Sequence, residues 1–183
     1  LWLEVLDNVA PRATELLAQL DEEQVANLQE VLDKKHQERY QKYVEADAAS
    51  LIDRRKQRVL DNAVDFIGRL SDEQKQLINQ WSNGQANTWP LWVDYQQRVN
   101  LEFLSVLQQR QQNNFAEQLK PLMYQPDALR SAEYNAMLAR NTQLSRALII
   151  NLQASLSPKQ RQRLDKTLDK YIDDFTALAA AKG

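Results

Sequence analysis

The sequence predicts an all-α fold, about six or seven helices joined as αα-hairpins in one elongated domain over residues 1–183. Three observations carry that prediction. The chain has only 3 Gly and 5 Pro and is rich in Gln, Leu, Ala, Lys, Arg and Glu, straight side chains that lose little rotamer freedom in a helix. Its apolar residues recur in alternating steps of three and four, the signature of a helix with one buried face. A five-residue phrase is written three times: Leu20-Asp21-Glu22-Glu23-Gln24, Leu70-Ser71-Asp72-Glu73-Gln74 and Leu156-Ser157-Pro158-Lys159-Gln160. Each copy continues in steps of four to apolar residues, Leu28 and Leu32, then Ile78, then Leu164 and Leu168. A length of 183 residues suits one domain.

The elements follow in chain order. Residues 2–17 carry Leu3, Leu6, Val9, Leu16 and Leu17, with Pro11 either opening a helix or kinking one. Residues 22–44 place Val25, Leu28, Val31, Leu32, Tyr40 and Tyr43 on one side, and residues 48–67 do the same with Ile52, Val59, Ala63 and Phe66. These two stretches also read as one bent helix, because the junction at 46–50 contains neither Gly nor Pro. A short helix over 72–81 ends where Asn83 or Gly84 can supply a left-handed cap. Thr88 and Pro90 then start a helix bearing Trp92, Tyr95, Val99, Phe103, Val106 and Leu107. Pro121 and Pro126 make 119–126 the best break inside the domain. A long helix is predicted over 127–152, and a last one presents Leu164, Leu168, Tyr171, Phe175 and Leu178 before fraying over 179–183. Its unbroken four-three alternation calls for a partner helix.

Composition also removes function classes. A net charge of -2 gives no field to gather polyanions, so nucleic acid is not an expected partner. Without cysteine the chain has no disulfide, no thiolate nucleophile and no Cys-based zinc site. No run approaches the roughly 20 apolar residues of a spanning helix. The chain begins at Leu1 rather than Met, and a leader or longer N-terminal region is expected upstream.

In the repeated phrase, Asp or Ser followed three residues later by Gln is a capping box. The first side chain accepts a hydrogen bond from a free N–H of the first helical turn, and the Gln reaches back to the cap residue's own N–H. Leu20, Asp21, Gln24, Leu70, Ser71, Gln74, Leu156, Ser157 and Gln160 are therefore structural determinants that fix where helices turn. With three such corners, the chain resembles the LTxxQ-motif periplasmic proteins of the Spy/CpxP type, with Asp or Ser in place of Thr. The stretch from Phe66 to Gln74, preceded by the basic run from Asp53 to Arg58, resembles a related group of Gram-negative bacterial lipoproteins of unknown function. That resemblance implies export, a periplasmic location and a lipid-anchoring Cys upstream of Leu1, so that any membrane association runs through the anchor.

Other residues are candidate sites. His36, the only histidine, lies between Asp33 and Tyr40 and reads as a boundary residue, since carboxylate-bridged metal bundles need a second Glu-x-x-His turn. Asp165, Asp169 and Asp173 alternate with Lys166 and Lys170 and read as a solvated face. Trp81, Trp89, Trp92 and Tyr95 read as core packing or, alternatively, as a partly exposed aromatic platform. Arg54, Arg55, Lys56 and Arg58 form the densest basic patch, beside Ile52, Val59 and Phe66. No phosphate loop, nucleophile elbow or paired-carboxylate cleft is evident, and no cofactor is expected. The expected function is a non-enzymatic cell-envelope protein that binds proteins or unfolded polypeptide segments, with chaperone-like or stress-related activity, through Arg54, Arg55, Arg58, Trp89 and Trp92. A scaffold or adaptor in an envelope complex is the alternative, and an enzyme a distant third.

Overall fold

A computed structural model of the chain describes residues 2–180. Among them are eight α-helices, one 3-10 turn and no strand: α1 (Trp2–Ala18), α2 (Glu22–Tyr43), α3 (Ala48–Ile67), α4 (Asp72–Gly84), α5 (Trp89–Gln108), α6 (Phe115–Tyr124), the 3-10 turn Pro126–Leu129, α7 (Ala132–Ala154) and α8 (Pro158–Ala180). The all-α fold class is as the sequence predicts. The helix count exceeds the predicted six or seven because of α6. Pro121 sits inside that helix instead of breaking it. An interior proline costs about 3 kcal/mol, but Phe115 and Leu119 on this helix are buried, and Leu122 and Met123 pack on the same core. Pro11 is likewise interior to one continuous α1.

Residues 22–67 form the two helices read over 22–44 and 48–67, not the one bent helix also allowed by the sequence, because the Asp47 carboxylate accepts a hydrogen bond from the Ser50 N–H at 2.9 Å and starts α3 afresh. That bond holds the Asp47 carboxyl below its ordinary pKa. α4 runs through Gly84 to an ordinary cap at Gln85, and the one positive φ among the described residues is at Gly68, 79°, which closes α3. A Cβ there would lie 3.2 Å from the Arg163 side chain, so glycine serves both the turn and the close approach. The long helix starts at Ala132, not 127, where the Ser131 hydroxyl accepts from the Tyr134 N–H. α8 stays helical to Ala180, and the rest of the predicted fray, 181–183, lies outside the described residues.

The chain divides into two compact units. Unit 1 comprises Leu1–Ala46 with Asn87–Leu138, and unit 2 comprises Asp47–Ala86 with Ala139–Gly183. In unit 1, α2 packs on α5 and α6 packs on both α1 and α5. Its core is Val25, Val106, Leu107, Phe115 and Leu119. In unit 2, α3 packs on α4 and α8 around Ile67, Leu70, Ile78 and Leu148. No helix among the described residues is long and apolar enough to cross a membrane.

Candidate functional site

All three corners make both hydrogen bonds of the capping box. Gln24, Gln74 and Gln160 each accept from the N–H of their cap residue, Asp21, Ser71 or Ser157, at 3.0 Å. The caps in turn accept from the Gln N–H groups at 2.8, 3.2 and 3.3 Å. In unit 2 the second and third corners also meet. The Gln74 and Gln160 amides pair reciprocally, Nε2 of each donating to Oε1 of the other at 3.1 and 2.9 Å. Each then donates to the carbonyl two residues before the other's cap, Gln74 to Ser155 at 3.2 Å and Gln160 to Arg69 at 3.0 Å. The joint therefore has local two-fold symmetry, and it satisfies helix-end carbonyls that would otherwise be stranded. Gln74 has 0% of its surface exposed. Its amide is saturated and has no capacity left for a ligand.

The corner at Leu20 is supported differently. The buried Arg110 guanidinium donates from Nε to the Leu20 carbonyl at 2.7 Å, from Nη1 to Leu107 and from Nη2 to the Glu22 carboxylate. Gln111 donates to the Ala18 carbonyl. Sequence reasoning did not single out Arg110, and nothing in its flanking run of glutamines and asparagines marks it.

The most developed surface for an interaction lies beside the unit 2 joint. Val59, Ala63 and Phe66 on α3, Leu148, Ile149 and Leu152 on α7, and Leu164 on α8 line an open groove of about 570 Å³. The groove exists because α3 and α8 both present apolar faces that their own neighbours only partly cover: Val59, Phe66, Leu152 and Leu164 are half-buried and Ile149 is exposed. Tyr171 stacks on Phe66 at 5.9 Å between ring centroids, and past it every described residue of α8 is exposed. Ile172, Phe175 and Leu178 are each more than half exposed, Phe175 at 68%.

The basic run begins one turn before Val59. Arg54 and Arg58 are exposed. Arg55 is half-buried on the face of α3 that carries Leu51 and Val59. Its Nη1 is buried without a hydrogen-bond partner, and burial draws its pKa down.

The other residues singled out by sequence separate. Trp89 and Trp92 come together in unit 1, and Arg54, Arg55 and Arg58 belong to unit 2. Trp89 stacks on Tyr43 at 4.2 Å, Trp92 meets both rings edge-on at 5.5 Å, and Arg39 and Lys42 sit over the Trp92 and Tyr43 faces. All three rings are half-buried. Trp81 instead belongs to the unit 2 core, its indole N–H donating to Ser145 at 3.1 Å. Tyr95 is buried in unit 1 beside Tyr134, with the Arg130 guanidinium over both rings and Asp127 accepting from the Tyr95 hydroxyl. Burial, more than the nearby Asp127 charge, raises the Tyr95 pKa, and burial raises that of Tyr134 as well. Sequence reasoning missed this cluster, whose one local signal is the Asp127–Arg130 ion pair one turn apart. His36 is half-buried beside Tyr40. No three His, Asp or Glu side chains among the described residues are placed to hold a metal.

No curated protein and no solved structure matches the chain. The model of one protein family matches residues 1–135, a stretch that takes in the first two corners and stops before the third. The chain belongs to that family, the family of unknown function DUF6279.

Proposed function

We propose that the chain is a non-enzymatic cell-envelope protein that binds exposed apolar segments of other polypeptides, in a chaperone-like or stress-related role. The carrying observation is the unit 2 groove: an open apolar trough of about 570 Å³ that continues into the uncovered face of α8. Monomeric proteins seldom leave so much contiguous apolar surface bare unless it is used. Loose apolar contact with cations at one end suits clients whose sequences vary, because burial rewards area and the charges act at long range. The envelope location rests on the resemblance of the Phe66–Gln74 stretch and the preceding basic run to bacterial lipoproteins. A reading frame upstream of residue 1 that encodes a signal peptide ending at Cys would support it, and a frame without one would remove it.

The client reading is tested by adding the chain to a denatured client at stoichiometric ratios and following light scattering. Suppressed aggregation by the wild type, reduced by Ile149→Asp, supports it; no effect on several clients removes it. The scaffold alternative is favoured by the unit 1 aromatic cluster, whose fixed stacked rings fit one defined partner better than many clients. It predicts that Trp89→Ala loses a single crosslinked partner and leaves client binding unchanged.

A further inference from the structure

We propose that a second pocket of unit 2, beside the joint of the two corners, binds the phosphoryl group of a soluble phosphorylated compound or of a lipid headgroup. The pocket holds about 480 Å³ around the turn at Gly68, and Arg69, Ser71, Ser157, Lys159 and Arg163 line it. It shares only Ile67 with the apolar groove, so it stands apart from the client reading. Three cations thus meet in one concavity of a chain whose net charge is -2, and no carboxylate lines it. A cleft walled by one sign of charge concentrates the field inside it whatever the charge of the whole molecule. None of the three cations has an ion pair among the described residues. Of the acidic residues close by in sequence, Asp72 pairs with Lys75 at 3.0 Å, and Asp65 meets Arg163 through its backbone carbonyl, which accepts from Nη2 at 3.4 Å. That bond and the bare Gly68 turn position the guanidinium: a Cβ at Gly68 would lie 3.2 Å from Arg163 Cδ and 3.4 Å from Nη1. The Ser71 and Ser157 hydroxyl oxygens accept from the Gln74 and Gln160 N–H groups, which leaves each hydroxyl hydrogen free to donate.

The local two-fold symmetry of the joint supplies a comparison within the chain. Counted from the corner leucines Leu70 and Leu156, the equivalents of Arg69, Lys159 and Arg163 are Ser155, Glu73 and Leu77. The corner bonds are the same on both sides, so the architecture of a corner does not call for the cations, and they gather on one side only. The donor set also selects the anion. A carboxylate has two oxygens and one charge, which a single guanidinium satisfies. Two guanidinia, an ammonium and two hydroxyls suit a group with three or more oxygens and more than one charge, and the planar fork of Arg matches phosphate oxygens two at a time.

Amide NMR shifts of the whole chain, titrated with inorganic phosphate at constant ionic strength, test this. The expected result is saturable shifts at Gly68, Ser71 and Lys159. Arg163→Ala and Lys159→Ala, both at exposed positions, each weaken binding roughly three- to fivefold, the worth of an exposed ion pair, and together about tenfold or more. Arg161→Ala removes the same charge from the same helix outside this pocket and is expected to leave binding unchanged. Co-sedimentation with phosphatidylcholine vesicles, plain or containing phosphatidic acid, separates the two sources. Binding to the acidic vesicles alone, lost when Arg163→Ala and Lys159→Ala are combined, assigns a lipid headgroup; saturable phosphate shifts without vesicle binding assign a soluble phosphorylated compound. Neither saturable shifts nor vesicle binding overturns the proposal. So does an equal response to acetate or an equal loss from Arg161→Ala, the marks of an adventitious ion only.

Discussion

At the corner Leu20–Gln24 in unit 1, a guanidinium from after α5 reaches the Leu20 carbonyl in the turn between α1 and α2. In unit 2, two corners with the same phrase reach each other's carbonyls through a pair of amides. Both arrangements meet one requirement: a helix that ends in a sharp turn leaves carbonyls without an intrahelical donor. The difference lies in what each solution tolerates. The amide pair is neutral and fully reciprocal, so each half depends on the other. The guanidinium is a buried charge, its side chain 4% exposed, whose ionic partner Glu22 is 90% exposed, so two backbone carbonyls and one solvated carboxylate hold it. The same capping box is therefore supported differently at different corners, and substitutions can measure the difference.

The largest effect is expected from Gln74→Glu. It replaces two N–H donors with a buried carboxylate facing the Gln160 Oε1 and the Ser155 carbonyl, and should cost about 3 kcal/mol or more at pH 7. Burial raises the folded-state pKa of the introduced acid above its unfolded value of about 4.3. The penalty therefore grows as pH rises past that value and shrinks below it, where the carboxyl O–H can donate as the amide did. Urea unfolding at pH 7 and pH 4 reads this directly. Arg110→Met comes next, at about 2 kcal/mol, because it strands the part-buried Leu20 carbonyl. Arg110→Lys should fall between it and the wild type, keeping the charge and losing the fork.

The sharpest comparison is Gln160→Ala against Gln24→Ala. Both lose one local capping bond, about 0.5–1 kcal/mol, but Gln160→Ala also removes the reciprocal pairing with the buried Gln74 amide and the bond to the Arg69 carbonyl, for about 2 kcal/mol in all. Equal shifts in the urea midpoint would show that the cross-corner pair contributes nothing. The smallest effect at neutral pH lies in unit 1. Tyr95 and Tyr134 have pKa values raised above the ordinary 10.0, so their protonated forms are favoured in the folded state. That stability is fully present below about pH 10 and is lost as pH rises through the folded values. Tyr95→Phe should flatten the fall in melting temperature between pH 9.5 and 11.5.

Much of the local structure can be read in five letters at each corner, since a capping box needs only its own helix start. The amide pair cannot, because Gln74 and Gln160 are 86 residues apart and a glutamine in a capping box looks the same whether or not its second hydrogen finds a distant partner. Pro121 shows the opposite limit: local chemistry argues for a break, and burial of Phe115 and Leu119 overrides it. The groove was half legible. The apolar steps from Val59 to Phe66 and from Leu164 to Leu178 announce faces that need partners, but only packing decides that Leu164 finds one and Phe175 does not. Trp81 and Trp89 stand eight residues apart and fall in different units, so proximity in sequence misgrouped them.

In the proposed function the corners build the fold and the helices between them bind. The most direct test is fluorescence anisotropy of a labelled unfolded polypeptide titrated with the wild type, Ile149→Asp and Gln24→Ala. Ile149 is 64% exposed in the groove wall, so its substitution spares the fold. The expected result is at least a tenfold loss of affinity, about 1.4 kcal/mol, for Ile149→Asp and a change under twofold for Gln24→Ala. Unchanged binding by Ile149→Asp, or an equal loss from the folded corner variant, would contradict it.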